Sequence, residues 1–131
     1  MIKSMFNRWT FPAFFWSLVI LFLTSYPKIT LPDIGVSFED KLGHLGIYFI
    51  FSFLLSRAFV KGDLHRLKHG VGKAILLGVL FAIFDEIHQI PIPGRSGDVL
   101  DVFADIIGIL LAQILFVIFI RVALKQKWSF N

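Results

Sequence analysis

A chain of 131 residues that is 56% hydrophobic, with a mean hydropathy of +0.78, carries more apolar surface than a soluble domain of its length can hide. It has no cysteine, which excludes a disulfide framework and thiol chemistry. The net charge of +4 would point to nucleic acid in a soluble protein, but here the placement of the charges says more than their sum.

Long apolar runs point to membrane spans, each needing roughly 20 residues to cross the hydrocarbon core. No linker, repeat or low-complexity tract interrupts the chain, so a single domain over residues 1–131 is expected. The first span is expected at 9–26, uncharged throughout, with Pro12 near its start where a helix tolerates proline. It is long for the apolar core of a signal peptide and lacks a small-x-small cleavage site, so it is read as retained. "PKITLPDIGVSFED" follows as a loop, and a second span is expected at 42–60. "KGDLHRLKHG" reads as a short basic loop before a third span at 71–90, which stops at the helix-breaking "PIPG". The fourth span is expected at 100–122, closed by the basic tail "RVALKQKW". The expected fold is therefore all-α: a polytopic membrane protein of four transmembrane helices in a bundle.

Lysine and arginine placement orients the bundle. With a cytoplasmic N-terminus, Lys3, Arg8, Arg57, Lys61, Arg66, Lys68, Lys73, Arg121, Lys125 and Lys127 face inward, and only Lys28, Lys41 and Arg95 face out. Of the acids, only Asp63 falls on the inner side. Both termini are expected in the cytoplasm of a bacterial cell and the chain in its inner membrane.

The remaining acids gather near the outer ends of spans two to four. Asp40, His44 and Tyr48 are spaced four apart and share a helical face. Asp85 and Gln89 share another, flanked by Glu86 and His88, while Asp101, Asp105 and Gly108 form a stripe that Asp98 extends. A carboxylate some 8 Å inside a helix end, at 1.5 Å per residue, costs a few kcal/mol if it faces lipid. The three faces are therefore expected to turn together into an outward-facing cleft lined by Asp40, His44, Asp85, Glu86, Gln89, Arg95, Asp101 and Asp105.

"DKLGHLGIY" followed by "DEIHQIPIPGRSGDVLDVFADIIG" resembles the VanZ-like family of small bacterial membrane proteins, over about residues 40–112. The family pattern, D-K-x-x-H-x-x-x-Y, then D-E-x-x-Q-x-x-x-P-G-R, an aspartate six residues on, an asparagine and a glycine, falls on Asp40, Lys41, His44, Tyr48, Asp85, Glu86, Gln89, Pro93, Gly94, Arg95, Asp101 and Gly108. Asp105 stands where the family usually has asparagine. The family is named for a protein linked to low-level resistance to teicoplanin, a lipid-tailed glycopeptide; the resemblance implies an envelope role and brings no established reaction with it.

The sharpest chemical reading is a hydrolase or transferase acting on a lipid-linked headgroup. In it His44, Asp85, Glu86 and Asp101 supply general acid–base catalysis, and Arg95, Gln89, Tyr48, Asp40 and Asp105 hold the substrate. His44 with Asp40, Asp85 or Glu86 would also suit a divalent metal ion. "DEIHQ" is not H-E-x-x-H, and no G-x-S-x-G or glycine-rich phosphate loop is present. A second reading has the cleft bind an amphipathic envelope molecule or lipoglycopeptide without chemistry, or serve as a scaffold. A small transporter is the weaker alternative, because the inner halves of spans two to four carry almost no polar side chains.

Plainer roles stand beside these. Asp98, Lys41 and Glu39 read as solvated interfacial charges, and His65 and His69 as surface residues. Asp85 with Arg95 reads equally as an ion pair stapling the turn to the helix, and Tyr48 as a packing residue. The phenylalanines with Trp9, Trp16 and Trp128 read as lipid-facing bulk and interfacial anchors. Gly43, Gly46, Gly72, Gly78 and Gly108 are expected to allow close helix contact. The basic loop reads as a topology signal and anionic-lipid contact, not a nucleic-acid site.

Overall fold

Asn7 opens the first helix: its Oδ1 accepts the backbone N–H of Trp9 (2.9 Å) and of Thr10 (3.1 Å), and a proline sits in the first turn. In the computed structural model, which describes residues 7–27 and 38–129, this helix (α1) runs Phe11–Thr24. Its 14 residues make about 21 Å at 1.5 Å per residue, short of the roughly 20 residues a span needs. The expected 9–26 span is thus trimmed at both ends. Tyr26 precedes Pro27, which disfavours helical backbone at Tyr26.

The other helices are longer. α2 runs Phe38–Val60, α3 Leu67–Gln89 and α4 Val99–Ser129, and no strand occurs among the described residues. Two stretches, Asp40–Val60 and Val99–Ala123, are long and apolar enough to cross a membrane. The side chains of Glu39, Lys125, Lys127 and Trp128, together with Lys3 and Lys28 and the loop segment 28–37, lie outside the described residues.

The expected ten-residue basic loop is mostly helical. Lys61 (φ 53°) and Gly62 (φ 75°) turn the chain in the left-handed region. Asp63 then caps a 3-10 turn, Leu64–Arg66, by accepting the His65 N–H (2.9 Å). α3 starts directly after it. His65 and His69 are exposed.

α2 and α4 form the most extensive pair, α3 packs on both, and α1 rests mainly on α2. α3 can approach because it buries Gly70, Ala74, Gly78 and Ala82, one small residue per turn, on the stripe that continues into Asp85, Glu86 and Gln89. Gly78 lies against Ile109 and Gly70 against Val60. Gly108 is the tightest point, since a Cβ there would collide with the backbone carbonyl of Leu45. Gly43, Gly46 and Gly72, by contrast, have open space where a Cβ would stand, so close contact is not their role.

The core joins Tyr48, Phe51 and Leu55 of α2 to Ile109 of α4 and Ile20 of α1. Phe51 and Phe116 are buried and Phe53 packs edge-on against Phe116, so these rings are core and not lipid-facing bulk. Trp16 is not an interfacial anchor either: its indole N–H donates to the Ile47 carbonyl (3.0 Å), tying α1 to α2. The guanidiniums of Arg8 and Arg57 each lie over the Trp9 ring, about 5 Å from its centre.

One polar group sits where almost none was expected. Gln113 of α4 donates to the hydroxyl of Ser52 (2.6 Å) and accepts from that of Ser56, all three buried. Their polar side-chain atoms satisfy one another, which makes them a clamp between α2 and α4.

Exposed positions of α3 and α4 carry Leu80, Phe84, Ile87, Ile107, Ile114 and Phe119, while carboxylates are buried. This inverts the distribution of a soluble protein.

Gly108→Ala is expected to destabilise the bundle by about 1–3 kcal/mol, the cost of overpacking, read as a lowered midpoint of thermal unfolding in detergent. Gly43→Ala, with open space at its Cβ, should not lower it.

Candidate functional site

Helix ends gather the charges. α1 begins, α2 ends, α3 begins and α4 runs out at one end of the bundle, where Arg57 reaches the Arg8 carbonyl (2.9 Å) and Val60, Phe116 and Ile120 form a second apolar cluster. The opposite end holds Asp40, Asp85, Glu86, Asp98, Asp101 and Asp105.

Asp85 is completely buried, and its partners come from three helices. The hydroxyl of Thr24 on α1 donates to Oδ1 (2.7 Å), and that of Tyr48 on α2 to Oδ2 (3.1 Å). The amide of Gln89, one turn along α3, approaches Oδ2 (3.5 Å) and donates to Glu86 Oε1 (3.2 Å). Thr24 was absent from the sequence-derived site. Its signal was a polar residue in the last turn of an otherwise apolar run.

His44 lies at the centre, about nine-tenths buried. Its Nδ1 bonds Asp105 Oδ1 (3.1 Å) and faces Glu86 Oε1 at 3.9 Å; its Nε2 faces Asp101 Oδ2 at 3.7 Å. Asp105 is completely buried, and its second oxygen, Oδ2, has no partner. On the Nε2 side Lys41 pairs with Asp101 (2.9 Å) and Asp98 (3.3 Å). Two groups offer ligand atoms within 4.8 Å of one another: Asp40, His44 and Asp101, and His44, Glu86 and Asp105. Asp85 belongs to neither.

Asp98 and Lys41 are more than solvated charges. Asp98 Oδ1 accepts the Leu100 N–H (2.8 Å) and so caps the start of α4, and Glu86 Oε2 accepts the Asp98 N–H (2.9 Å). The Leu100 N–H, and after it Lys41, hold the Asp98 carboxyl below the usual carboxylate range. Its contribution is therefore present above the ordinary carboxylate pKa and is lost as pH falls through the lowered value.

Arg95 does not pair with Asp85. Gly94 (φ 75°) turns the chain after the "PIP" segment, and the guanidinium then reaches α1, donating to the Leu23 carbonyl (3.0 Å), the Tyr26 carbonyl (3.1 Å) and Gln89 Oε1 (3.1 Å). It closes the C-terminal end of α1, whose last carbonyls have no helical partner. His88 reaches Ser25 Oγ (2.9 Å) beside this junction and stacks on Phe84.

Between α1, α2 and these groups lies a cavity of about 160 Å³, lined on its polar side by Thr24, Asp40, His44, Tyr48, Asp85 and Arg95. The structure thus brings Asp40, His44, Tyr48, Asp85 and Arg95 to one cavity. Glu86, Gln89, Asp101 and Asp105 stand behind that wall, bonded to it or facing His44.

A family model described as VanZ/LLP1 matches residues 2–120. No curated protein and no solved structure matches the chain.

Removing a donor to buried Asp85, by Thr24→Val or Tyr48→Phe, is expected to cost on the order of 1–3 kcal/mol, measured by thermal unfolding. In an Asp85→Asn background both costs should shrink, a coupling above about 0.5 kcal/mol in a double-mutant cycle.

Proposed function

Because the chain belongs to the VanZ/LLP1 family, we propose that it is a four-span protein of the bacterial cytoplasmic membrane, and that its acid–histidine cleft binds the headgroup of a cell-envelope amphiphile. The observation that carries this reading is the 160 Å³ cavity, which is lined both by His44, Asp85 and Arg95 and by the apolar side chains of Ile20, Leu23 and Ile47. Such a wall suits a molecule that is polar at one end and greasy at the other. The volume is well below the roughly 300–1,000 Å³ of sites that enclose drug-sized ligands. One small headgroup fits; a whole lipoglycopeptide does not. A contribution to teicoplanin-type resistance would then act through an envelope lipid, with the glycopeptide itself outside the cleft.

Charge polarity supports a cytoplasmic placement of both termini. Arg8, Arg57, Lys61, Arg66, Lys68 and Lys73 mark one end of the bundle and the acids the other. Lysine and arginine are retained on the cytoplasmic side, so the cleft faces outward. A third span is supported by the length of α3, equal to α2 at 23 residues, and by its exposed apolar face, and α1, at 14 residues, would complete the four as a short one.

A hydrolase or transferase reaction on the same headgroup is the second reading, favoured by one observation. Both ring nitrogens of His44 face carboxylates, the arrangement that orients an acid–base imidazole.

Lipid extracted from the purified protein should contain a bound envelope amphiphile by mass spectrometry, depleted about tenfold or more in His44→Gln and Asp85→Asn. Asp85→Glu should keep part of the load if the cleft only binds. If instead Asp85→Glu keeps the load but loses all effect on teicoplanin susceptibility, catalysis is indicated. Equal lipid loads in wild type and in both disabling variants would rule out the headgroup site.

A further inference from the structure

Among the described residues, the buried carboxylates on one side of His44 differ from those on the other in having no lysine or arginine paired with them. Lys41 neutralises the Nε2 side by pairing with Asp101 and Asp98. On the Nδ1 side stand Glu86 and Asp105, with Asp85 behind them, and no described lysine or arginine pairs with any of the three. Arg95, the nearest guanidinium, is committed to the Leu23 and Tyr26 carbonyls and to Gln89. Asp85 is content with neutral donors, since hydroxyls meet both its oxygens. Asp105 is not: it is 0% exposed and its Oδ2 meets no donor at all. A fully buried carboxylate oxygen without a donor is costly, and its retention asks for an account.

We propose that His44, Glu86 and Asp105 form a binding site for one divalent transition-metal ion. Ligand atoms about 2.1 Å from an ion at tetrahedral angles lie about 3.4 Å apart. His44 Nδ1 stands 3.1 Å from Asp105 Oδ1 and 3.9 Å from Glu86 Oε1, distances on either side of that value. One ligand atom from each of the three residues lies within 4.8 Å of the other two, and all three residues are buried. One imidazole with two carboxylates is a donor set that zinc and manganese accept.

The surroundings suit an ion. With Nδ1 on the metal, the imidazole proton moves to Nε2, which faces the Asp101 carboxylate at 3.7 Å. A carboxylate behind a ligating imidazole is the usual orienting partner. The other oxygen of Glu86 is held by the Asp98 N–H, which fixes the carboxylate as α4 begins. The alternative group on the Nε2 side, Asp40, His44 and Asp101, is disfavoured because the Lys41 ammonium already sits on Asp101. The ion would lie behind the wall of the proposed headgroup cavity, sharing only His44 with it, and its binding needs no amphiphile, so either can fail alone.

Full-length protein purified in detergent and stripped with a chelator is titrated with zinc or manganese chloride, stoichiometry being read by native mass spectrometry and binding by the unfolding midpoint. One equivalent of ion and a raised midpoint are expected. Asp105→Asn, nearly isosteric, should weaken binding about tenfold or more, since even outer-sphere partners of a metal are worth that much. Glu86→Gln gives the same readout should Asp105→Asn not fold. Lys41→Ala should leave the stoichiometry at one. The site is overturned if the wild type takes up no equivalent of either ion. It is equally overturned if Asp105→Asn or Glu86→Gln binds as tightly as wild type, or if affinity follows Asp101→Asn and not Asp105→Asn.

Discussion

A carboxylate withdrawn from water among apolar helices must be met by donors or by an opposite charge, and the arrangement at one end of this bundle follows from that need. Asp85 meets it with hydroxyls from two other helices, Thr24 on α1 and Tyr48 on α2. These bonds, with the Arg95 bonds to the Leu23 and Tyr26 carbonyls, fix the end of a helix that otherwise has little to hold it. The buried acid thus does more than mark a site. It fixes where α1 lies, and α1 is one wall of the cavity.

Packing and chemistry use the same stripes. On α3 a small residue at every fourth position draws the helix inward, and the next residues on that line are Asp85, Glu86 and Gln89. On α4 the line of Asp101 and Asp105 passes through Gly108, where the Leu45 backbone comes closest, and goes on to Ile109 and Gln113. Tight packing near Gly108 and Gly78 keeps the acids of both helices within reach of one imidazole. The Gln113 clamp on Ser52 and Ser56 holds the same pair of helices farther along. Helices held at both points have little freedom to slide, so His44 and Asp105 keep a defined separation.

The spacing of polar residues made much of this legible. Asp40, His44 and Tyr48 at intervals of four, and Asp101 and Asp105 likewise, declare one face per helix, and the cost of charge in lipid turns those faces together. What could not be read was partnership with groups that carry no residue identity. Arg95 binds backbone carbonyls, and any residue would have supplied them. Asp98 reads in the sequence as a solvated charge, although an aspartate just before the apolar run of a helix is a recognisable cap. Ser52 and Ser56, four apart in an apolar run, also offered a readable signal. Thr24 was missed because the first span holds no charge. Helix ends were the least legible: the basic loop coiled into a 3-10 turn and α3, because two left-handed residues, Lys61 and Gly62, suffice to reverse the chain.

The brevity of α1 bears on the membrane placement proposed for it. Its 14 residues give about 21 Å of helix against a hydrocarbon thickness of ~30 Å, and the longer helices beside it cannot shorten to match. With α1 as the proposed fourth span, the mismatch would be relieved on the lipid side, by thinning of the leaflet or by headgroups and water sinking toward the helix end. That depression would form an annular dimple beside Thr24 and Ser25, at the rim of the cavity. A shortened helix would thereby bring the polar surface of the bilayer down to the acids, where a full-length one would have walled them off in oil.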